Sequence, residues 1–310
     1  MLLPLFVTAC VGVVEGGESD RPDAVETTPG SAPGPTPDPP RALPAGKLAI
    51  VLAHGLDGNV DSFDPAIVAA IQADGHVVKR TEVPAVDSIA VRAAALGPQI
   101  DRFLTETGAT QVHIIAHSMG GLDSRYLISK LGYASKVASL TTMSTPHRGS
   151  PIADVALGLT TSSLLSQSAA LDALTALFGT DPASLDRALV DLSVRQAEVF
   201  NATVTDAPGV KYFSYAGFST PGQVSNSNAA ASCGTLPPGP TQTALAVVQP
   251  IVANGFDRIP SDAVVSIPSA TWGTFLGCVA ADHLSEIKAP TPTHDSATFF
   301  KNVVARLATL

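Results

Sequence analysis

Charge is scarce in this chain. Of 310 residues only 15% are Asp, Glu, Lys or Arg, and 18 Lys and Arg face 27 Asp and Glu, a formal net charge of −9. Basic residues occur singly or in pairs such as Lys79-Arg80. A nucleic-acid binder needs a basic face to neutralise phosphates, so this balance argues against a nucleic-acid partner. Long apolar runs are missing as well: none approaches the roughly 20 residues that cross a bilayer as a helix. There is no internal repeat. Cysteine is limited to three positions, 10, 233 and 278, an odd count that cannot close entirely into pairs. Neither Cys233 nor Cys278 stands beside a base that would generate a thiolate, which argues against a thiol nucleophile.

What is present is apolar and small. Hydrophobic residues make up 45% of the chain, much of it Ala, Val and Leu. A chain of this length can hold one large domain with a sizeable core, or two small ones.

The first ten residues, Met1 to Cys10, end in Val7-Thr8-Ala9-Cys10, which resembles the lipobox of bacterial lipoproteins. The resemblance implies a signal segment over 1–9 and a lipidated Cys10 anchored in a membrane. An ordinary export signal with an incidental cysteine is the alternative. Either reading sends the chain out of the cytoplasm, as a membrane-anchored lipoprotein or a secreted protein. From Glu15 to Gly46 the chain is rich in Pro, Gly, Ser, Thr and Asp. Such a segment buries too little apolar surface to offset its ordering entropy, so residues 10–46 are expected to form a mobile tether. With Cys10 lipidated, Cys233 and Cys278 remain as a pair, for which an oxidising compartment predicts a disulfide.

From Lys47 strand-like and helix-like segments alternate, the mark of an α/β domain with a mostly parallel sheet and helices on both faces. Strands are expected at 48–53, 75–80, 111–116, 138–143 and 210–215, with a helix over 89–106. The region 151–201 interrupts the alternation with helical Ala/Leu/Ser-rich sequence. It predicts either a buried pair of helices or a lid, set at about 151–200, whose inner face meets an apolar substrate.

The segment Ala116-His117-Ser118-Met119-Gly120 follows an apolar, β-branched run. A serine with tiny residues at −2 and +2, between a strand and a helix expected at 119–131, reads as a nucleophile elbow. Gly121 is expected where helix and strand approach closely. A serine hydroxyl needs a base, an acid that orients the base, and oxyanion donors. For the base, His283 and His294 lie far enough downstream. His283 follows the compact stretch 272–278, whereas His294 resembles a surface turn between prolines. For the acid, Asp262 precedes a strand-like run, Ala263 to Ser266, and lies 21 residues before His283. Asp257 is its rival, and Asp282 is expected to point away from its neighbour. The expected oxyanion donors are the backbone N–H groups of Met119, after the nucleophile, and of Leu56, in the loop His54-Gly55-Leu56-Asp57-Gly58. His54, His113 and His117 are read as structural.

Taken in order, His54-Gly55-Leu56, Ala116 to Leu122, Ser124-Arg125-Tyr126, Ser144 to Ser150, Asp262 with Val265, and Asp282-His283-Leu284 resemble the bacterial secreted true lipases, or triacylglycerol lipases. The motifs run from about Leu48 to Ile287. The resemblance implies an α/β-hydrolase domain over 47–310, hydrolysis of acylglycerol-type carboxylic esters through an acyl-serine, a lid, and a Cys233–Cys278 disulfide. It makes a lipid or other ester the substrate and adds a dedicated membrane-bound foldase as a partner to consider. Polyester depolymerase, phospholipase and acyltransferase activities use the same machinery, and a surface binding module is the non-enzymatic alternative. Many of those lipases hold a structural calcium. Its ligand positions fall here on Ser285 and near Pro238-Gly239-Pro240, without carboxylates, and Glu286 alone is a weak substitute, so no cofactor is expected.

Overall fold

In the computed structural model, the described residues are 42–178, 182–219, 233–253 and 259–310. Cys10 and the expected signal and tether lie outside them up to residue 41, as does Asp257. Six parallel strands form one sheet in the order β2-β1-β3-β4-β5-β6. They are β1 (Ala49–Ala53), β2 (Val77–Arg80), β3 (Val112–His117), β4 (Val137–Met143), β5 (Lys211–Gly217) and β6 (Thr274–Val279). Strands covered on both faces read as unbroken apolar runs rather than alternating ones. β1 is the clearest example, with all five residues buried.

Helices cover both faces. α2 (Ile89–Thr107) opens on a Ser88 side chain that accepts from Val91 N and closes on Gly108 at φ 68°. With α3 (Met119–Lys130) it buries Ala49 and Val51 of β1 against Leu96, Ile100 and Leu127. α1 (Pro65–Ala73) and the C-terminal helix α11 (Ser296–Leu307) cover the other face, enclosing Ile50 and Leu52 with Ile67, Phe300 and Val304. The period-two alternation along β1 thus feeds two separate cores. Leu43 joins the domain through its N–H on Thr107 O, 2.8 Å away.

Between β4 and β5 lie α4 (Pro151–Ala156), α5 (Gln167–Phe178), α6 (Pro182–Leu192) and α7 (Val194–Thr203). Their inner faces, including Ile152, Leu174, Leu185, Leu189 and Phe200, form one apolar cluster with Met119 and Leu122 of α3. Short helices α8 (Thr243–Ala246), α9 (Gln249–Val252) and α10 (Ile267–Ala270) stand between β5 and β6.

Three local expectations are corrected. The stretch 272–278 runs into β6, an edge strand whose residues up to Cys278 are mostly half-buried, so no buried apolar run announces it. Residues Ala263 to Ser266 are a turn rather than a strand: the Asp262 carboxylate accepts from Val264 N and Val265 N, and Ala263 sits at φ 82°. The close approach of α3 to the sheet falls on Gly120, where a Cβ would lie 2.5 Å from His54 O and 2.7 Å from Ala53 O. A Cβ on Gly121 would instead collide with the Thr145 side chain.

Candidate active site

β1 connects to β2 on one side and the chain then returns to β3 on the other, so the strand order reverses between β1 and β3. In open parallel sheets, ligands bind in the crevice at the carboxyl ends of strands at such a switch point. Ser118 follows β3, and the loop 54–58 follows β1 at that point.

Ser118 adopts φ 55°, a conformation that L residues rarely take. Its backbone is held there by Ser118 N donating to Met143 O (2.9 Å), and by Thr145 Oγ1 (2.8 Å) and Gly121 N (3.1 Å) donating to Ser118 O. Ser118 Oγ lies 2.9 Å from His283 Nε2, and His283 Nδ1 lies 2.6 Å from Asp262 Oδ2. His283 and Asp262 are both buried. Burial alone would raise the Asp262 carboxyl; the facing imidazole and the N–H groups of Val265 and Val264 outweigh it and hold the group below the usual carboxylate range. The structure therefore brings together Ser118, His283 and Asp262 as expected. His294 is buried rather than on a surface turn, and its Nε2 bonds to Glu286 O. Asp282 turns away from His283, accepting from Gln242 N (2.6 Å) and Ser285 N (2.8 Å).

Leu56 lines the cleft beside Ser118, and Met119 follows Ser118 in the chain. Met119 opens α3, where an α-helix leaves its first N–H groups without intrahelical partners. Gly55 lies against Ser118 so closely that a Cβ there would sit 2.6 Å from Ser118 Cβ. His54 is structural: Nδ1 donates to Gly55 O (2.8 Å), Nε2 accepts from Val83 N (3.2 Å), and burial lowers it to about 4. His113 meets Ser139 Oγ, and His117 Nε2 donates to His283 O at 2.9 Å. Above Ser118 opens a narrow cleft, partly open to solvent, lined by apolar side chains from Leu56, Leu174, Leu189, Leu192 and Val264.

Two buried groups beside the site have no place in the sequence motifs. Glu286 is fully buried and accepts from Ser144 Oγ at 2.6 Å. Burial first, and then the nearby Asp262 charge, push its carboxyl well above the usual range. Arg92 is also fully buried and reaches the loop after β1. A signal for Arg92 exists in the chain: it interrupts the apolar stripe Ile89, Ala93, Leu96, Ile100 at a core-facing position. Glu286 carries no comparable pattern.

Two places invite a test for metal. His117, His283 and Glu286 bring ligand atoms within 4.8 Å of one another. Yet both His283 nitrogens already face Asp262 and Ser118, and His117 Nε2 donates to a carbonyl. At Ser285, Gln242 Nε2 donates to Ser285 Oγ (3.2 Å), and both Asp282 oxygens already accept from backbone N–H groups. An amide donor stands in that bridge, so the residues there do not fit a calcium ion, which needs several oxygen ligands. The Cys233–Cys278 disulfide fastens β6 to the segment at 233, with a Cα–Cα distance of 5.2 Å.

Residues 49–175 match the family model for the alpha/beta hydrolase fold. Over 238 residues the chain is 30% identical to triacylglycerol lipase 2 of Saccharomyces cerevisiae, covering 74% of this chain and 64% of that protein. A triacylglycerol lipase of Pseudarthrobacter phenanthrenivorans is 36% identical over 118 residues, 36% of each chain. The chain thus spans less than two thirds of the length of these relatives. Among solved structures, mature Bacillus licheniformis lipase BlEst2 superimposes with a TM-score of 0.65 at 20% identity, covering 88% of this chain and 96% of that one. Strand order, elbow and these likenesses agree: the chain has the α/β-hydrolase fold and is similar in sequence to triacylglycerol lipases.

Proposed function

We propose that the chain is a serine ester hydrolase of the lipase type, acting on acylglycerol-like esters. The observation that carries this reading is the aligned series Ser118 Oγ to His283 Nε2 (2.9 Å) and Nδ1 to Asp262 Oδ2 (2.6 Å) at the floor of an apolar cleft. In this mechanism Ser118 Oγ attacks the acyl carbonyl while His283 Nε2 takes its proton. His283 then returns that proton to the leaving alcohol, and a water molecule, deprotonated by the same nitrogen, releases the acid from acyl-Ser118. Asp262 holds Nδ1–H and favours the transient imidazolium. The N–H groups of Leu56 and Met119 receive the oxyanion; losing one such donor typically costs about 100- to 1000-fold in kcat. Leu174, Leu189, Leu192 and Val264 suit an apolar acyl chain better than a sugar or a peptide. The proposed steps call on no metal.

The Cys233–Cys278 disulfide supports an exported setting, because such bonds persist where the medium is oxidising. Anchoring through a lipidated Cys10 and assistance by a foldase rest on sequence resemblance alone. Hydrolysis of p-nitrophenyl butyrate and tributyrin, with covalent labelling by a fluorophosphonate, tests the central reading. Both are expected in the wild type and neither in Ser118→Ala. A wild-type protein that does neither is the binding module instead.

A further inference from the structure

We infer that Arg92 is a positioning residue for the oxyanion site, holding the Gly55–Leu56 peptide so that its N–H faces Ser118. This rests on the ester-hydrolase reading and names a part of that machinery which the motifs do not contain.

Arginine offers five N–H groups in a rigid fork, and here five acceptors surround it. Nε donates to Asp123 Oδ2 (2.9 Å). Nη1 donates to Pro84 O (2.6 Å) and Ala85 O (3.0 Å). Nη2 donates to His54 O (3.1 Å) and Gly55 O (2.9 Å). The side chain is fully buried, so no water replaces these partners. The fork therefore fixes three pieces of chain relative to one another: the loop after β1, the segment before α2, and α3 through Asp123.

There are no cis peptide bonds among the described residues. In a trans peptide the C=O and N–H point in opposite directions, so a donor fixing Gly55 O also fixes the direction of Leu56 N–H. Gly55 O has three such donors, Arg92 Nη2, His54 Nδ1 at 2.8 Å and, more weakly, Gly58 N at 3.3 Å. On the next residue, Asp57 N donates to Ala85 O at 2.8 Å, an oxygen that Arg92 also holds. Glycine at 55 makes this fastening necessary. Its contact with Ser118 leaves no room for a Cβ, yet a residue without Cβ can rotate its peptide through conformations closed to others. A rotated peptide would aim a carbonyl oxygen at the developing oxyanion and repel it. A cationic fork on the carbonyl opposes that rotation and polarises the N–H toward the site.

The test uses Arg92→Lys, which keeps a positive charge beside Asp123 but cannot make the five bonds of the fork. Asp123→Asn is the milder second variant, isosteric and with the guanidinium retained. For each, kcat and KM are measured on p-nitrophenyl butyrate per site titrated with fluorophosphonate. Affinity for an alkyl trifluoromethyl ketone, which forms a tetrahedral oxyanion on the serine, and the melting temperature are measured alongside. Arg92→Lys is expected to lower kcat about 100-fold with KM within about threefold of wild type, on the scale of one lost oxyanion donor. Ketone affinity is expected to fall by a similar factor. Asp123→Asn is expected to show the same pattern at about threefold to tenfold. A merely structural role would lower the melting temperature and the fraction of titratable sites while leaving kcat per site and ketone affinity unchanged, and that result overturns the inference. If Arg92→Lys does not fold, the Asp123→Asn values decide alone. Failure of the ester-hydrolase reading is separately visible, as absence of labelling and turnover in the wild type.

Discussion

Gly55 and Ser118 touch backbone to side chain: a Cβ built on Gly55 would lie 2.6 Å from Ser118 Cβ and 3.2 Å from Oγ. The contact couples the loop after β1 to the nucleophile, so one added methyl must displace one or the other. Gly55→Ala is expected to lower kcat/KM on short esters about 100-fold, the scale of a misplacement near 1 Å. Overpacking costs about 1–3 kcal/mol of stability, so the variant should remain folded. Active-site titration with steady-state kinetics measures this; a wild-type rate per titrated site would show that the contact is slack.

Removing members of the triad should not be additive, because they act as one unit. Asp262→Asn is expected to cost about 10³- to 10⁴-fold in kcat, since an asparagine favours the wrong tautomer of His283. Adding Asp262→Asn to His283→Ala should then cost little more. Losses that multiply across the two positions would mean that Asp262 acts by some route other than His283.

Six of the seven histidines, at 54, 76, 113, 117, 147 and 294, are held below the usual imidazole value, with burial the first cause in each. Unfolded, each takes up a proton near pH 6.5; folded, each stays neutral to lower pH. From these histidines the unfolded chain binds more protons in that interval, a term that raises stability with pH, while Asp123 and Glu286, whose buried carboxyls are raised, oppose it in part. The contribution is complete above about pH 6.5 and is lost as pH falls. His54, held at about 4, accounts for about 3 kcal/mol of the loss. Melting temperature should drop between pH 7 and pH 4.5, with net proton uptake on unfolding near pH 5.5. A flat melting curve over that range would contradict the neutral, buried assignment.

The disulfide links residues 45 positions apart. Loop-closure entropy puts its contribution at about 2–4 kcal/mol. Cys233→Ser and the double serine variant should destabilise equally, and reduction of the wild type should match them. Equal melting of oxidised and reduced protein would show that the closure contributes nothing.

Chain-length preference should follow the cleft wall. Leu189 lines it from α6 and is almost wholly buried. Leu189→Trp is expected to lower kcat/KM for an octanoyl ester at least about tenfold relative to an acetyl ester, since a large ring fills the space that buried methylenes would occupy. A uniform change across chain lengths would place the acyl chain elsewhere.

Much of the fold and of the proposed triad is legible in the amino-acid order. β1 carries an unbroken apolar run because both faces are covered, β3 is broken only by His113 before its terminal His117, and the elbow carries its own steric requirement for small neighbours. Ser118, Asp262 and His283 are readable because each lies at a strand end or loop with a distinct residue pattern. β6 is hidden by its glycine at 277, in the left-handed region at φ 127°, and by its place at the sheet edge, where no buried run is required. Ala263 to Ser266 has the hydropathy of a strand, but hydrogen bonds from Val264 and Val265 to the Asp262 side chain, invisible to hydropathy, fold it into a turn. Glu286 and Arg92 act through residues distant in sequence, Ser144 and Gly55, and only the fold brings those partners together.

The 151–203 insertion is fastened unevenly. Arg125 of α3 stacks on Trp272, with its guanidinium carbon 3.6 Å from the ring centroid, and bonds Asn201 Oδ1 and Val204 O at the end of α7. Asn201 in turn donates to His147 O. α5 instead rests on Ala170 and Leu174 in the apolar cluster, with Gln167 donating to Ala156 O. As raw material for divergence the halves therefore differ. α7 is tied into the sheet beside the elbow and tolerates little revision. α5 and α6 carry Leu174 and Leu189 to the cleft wall, so changes there would reshape the space beside Ser118 without touching the side chains of Ser118, His283 or Asp262.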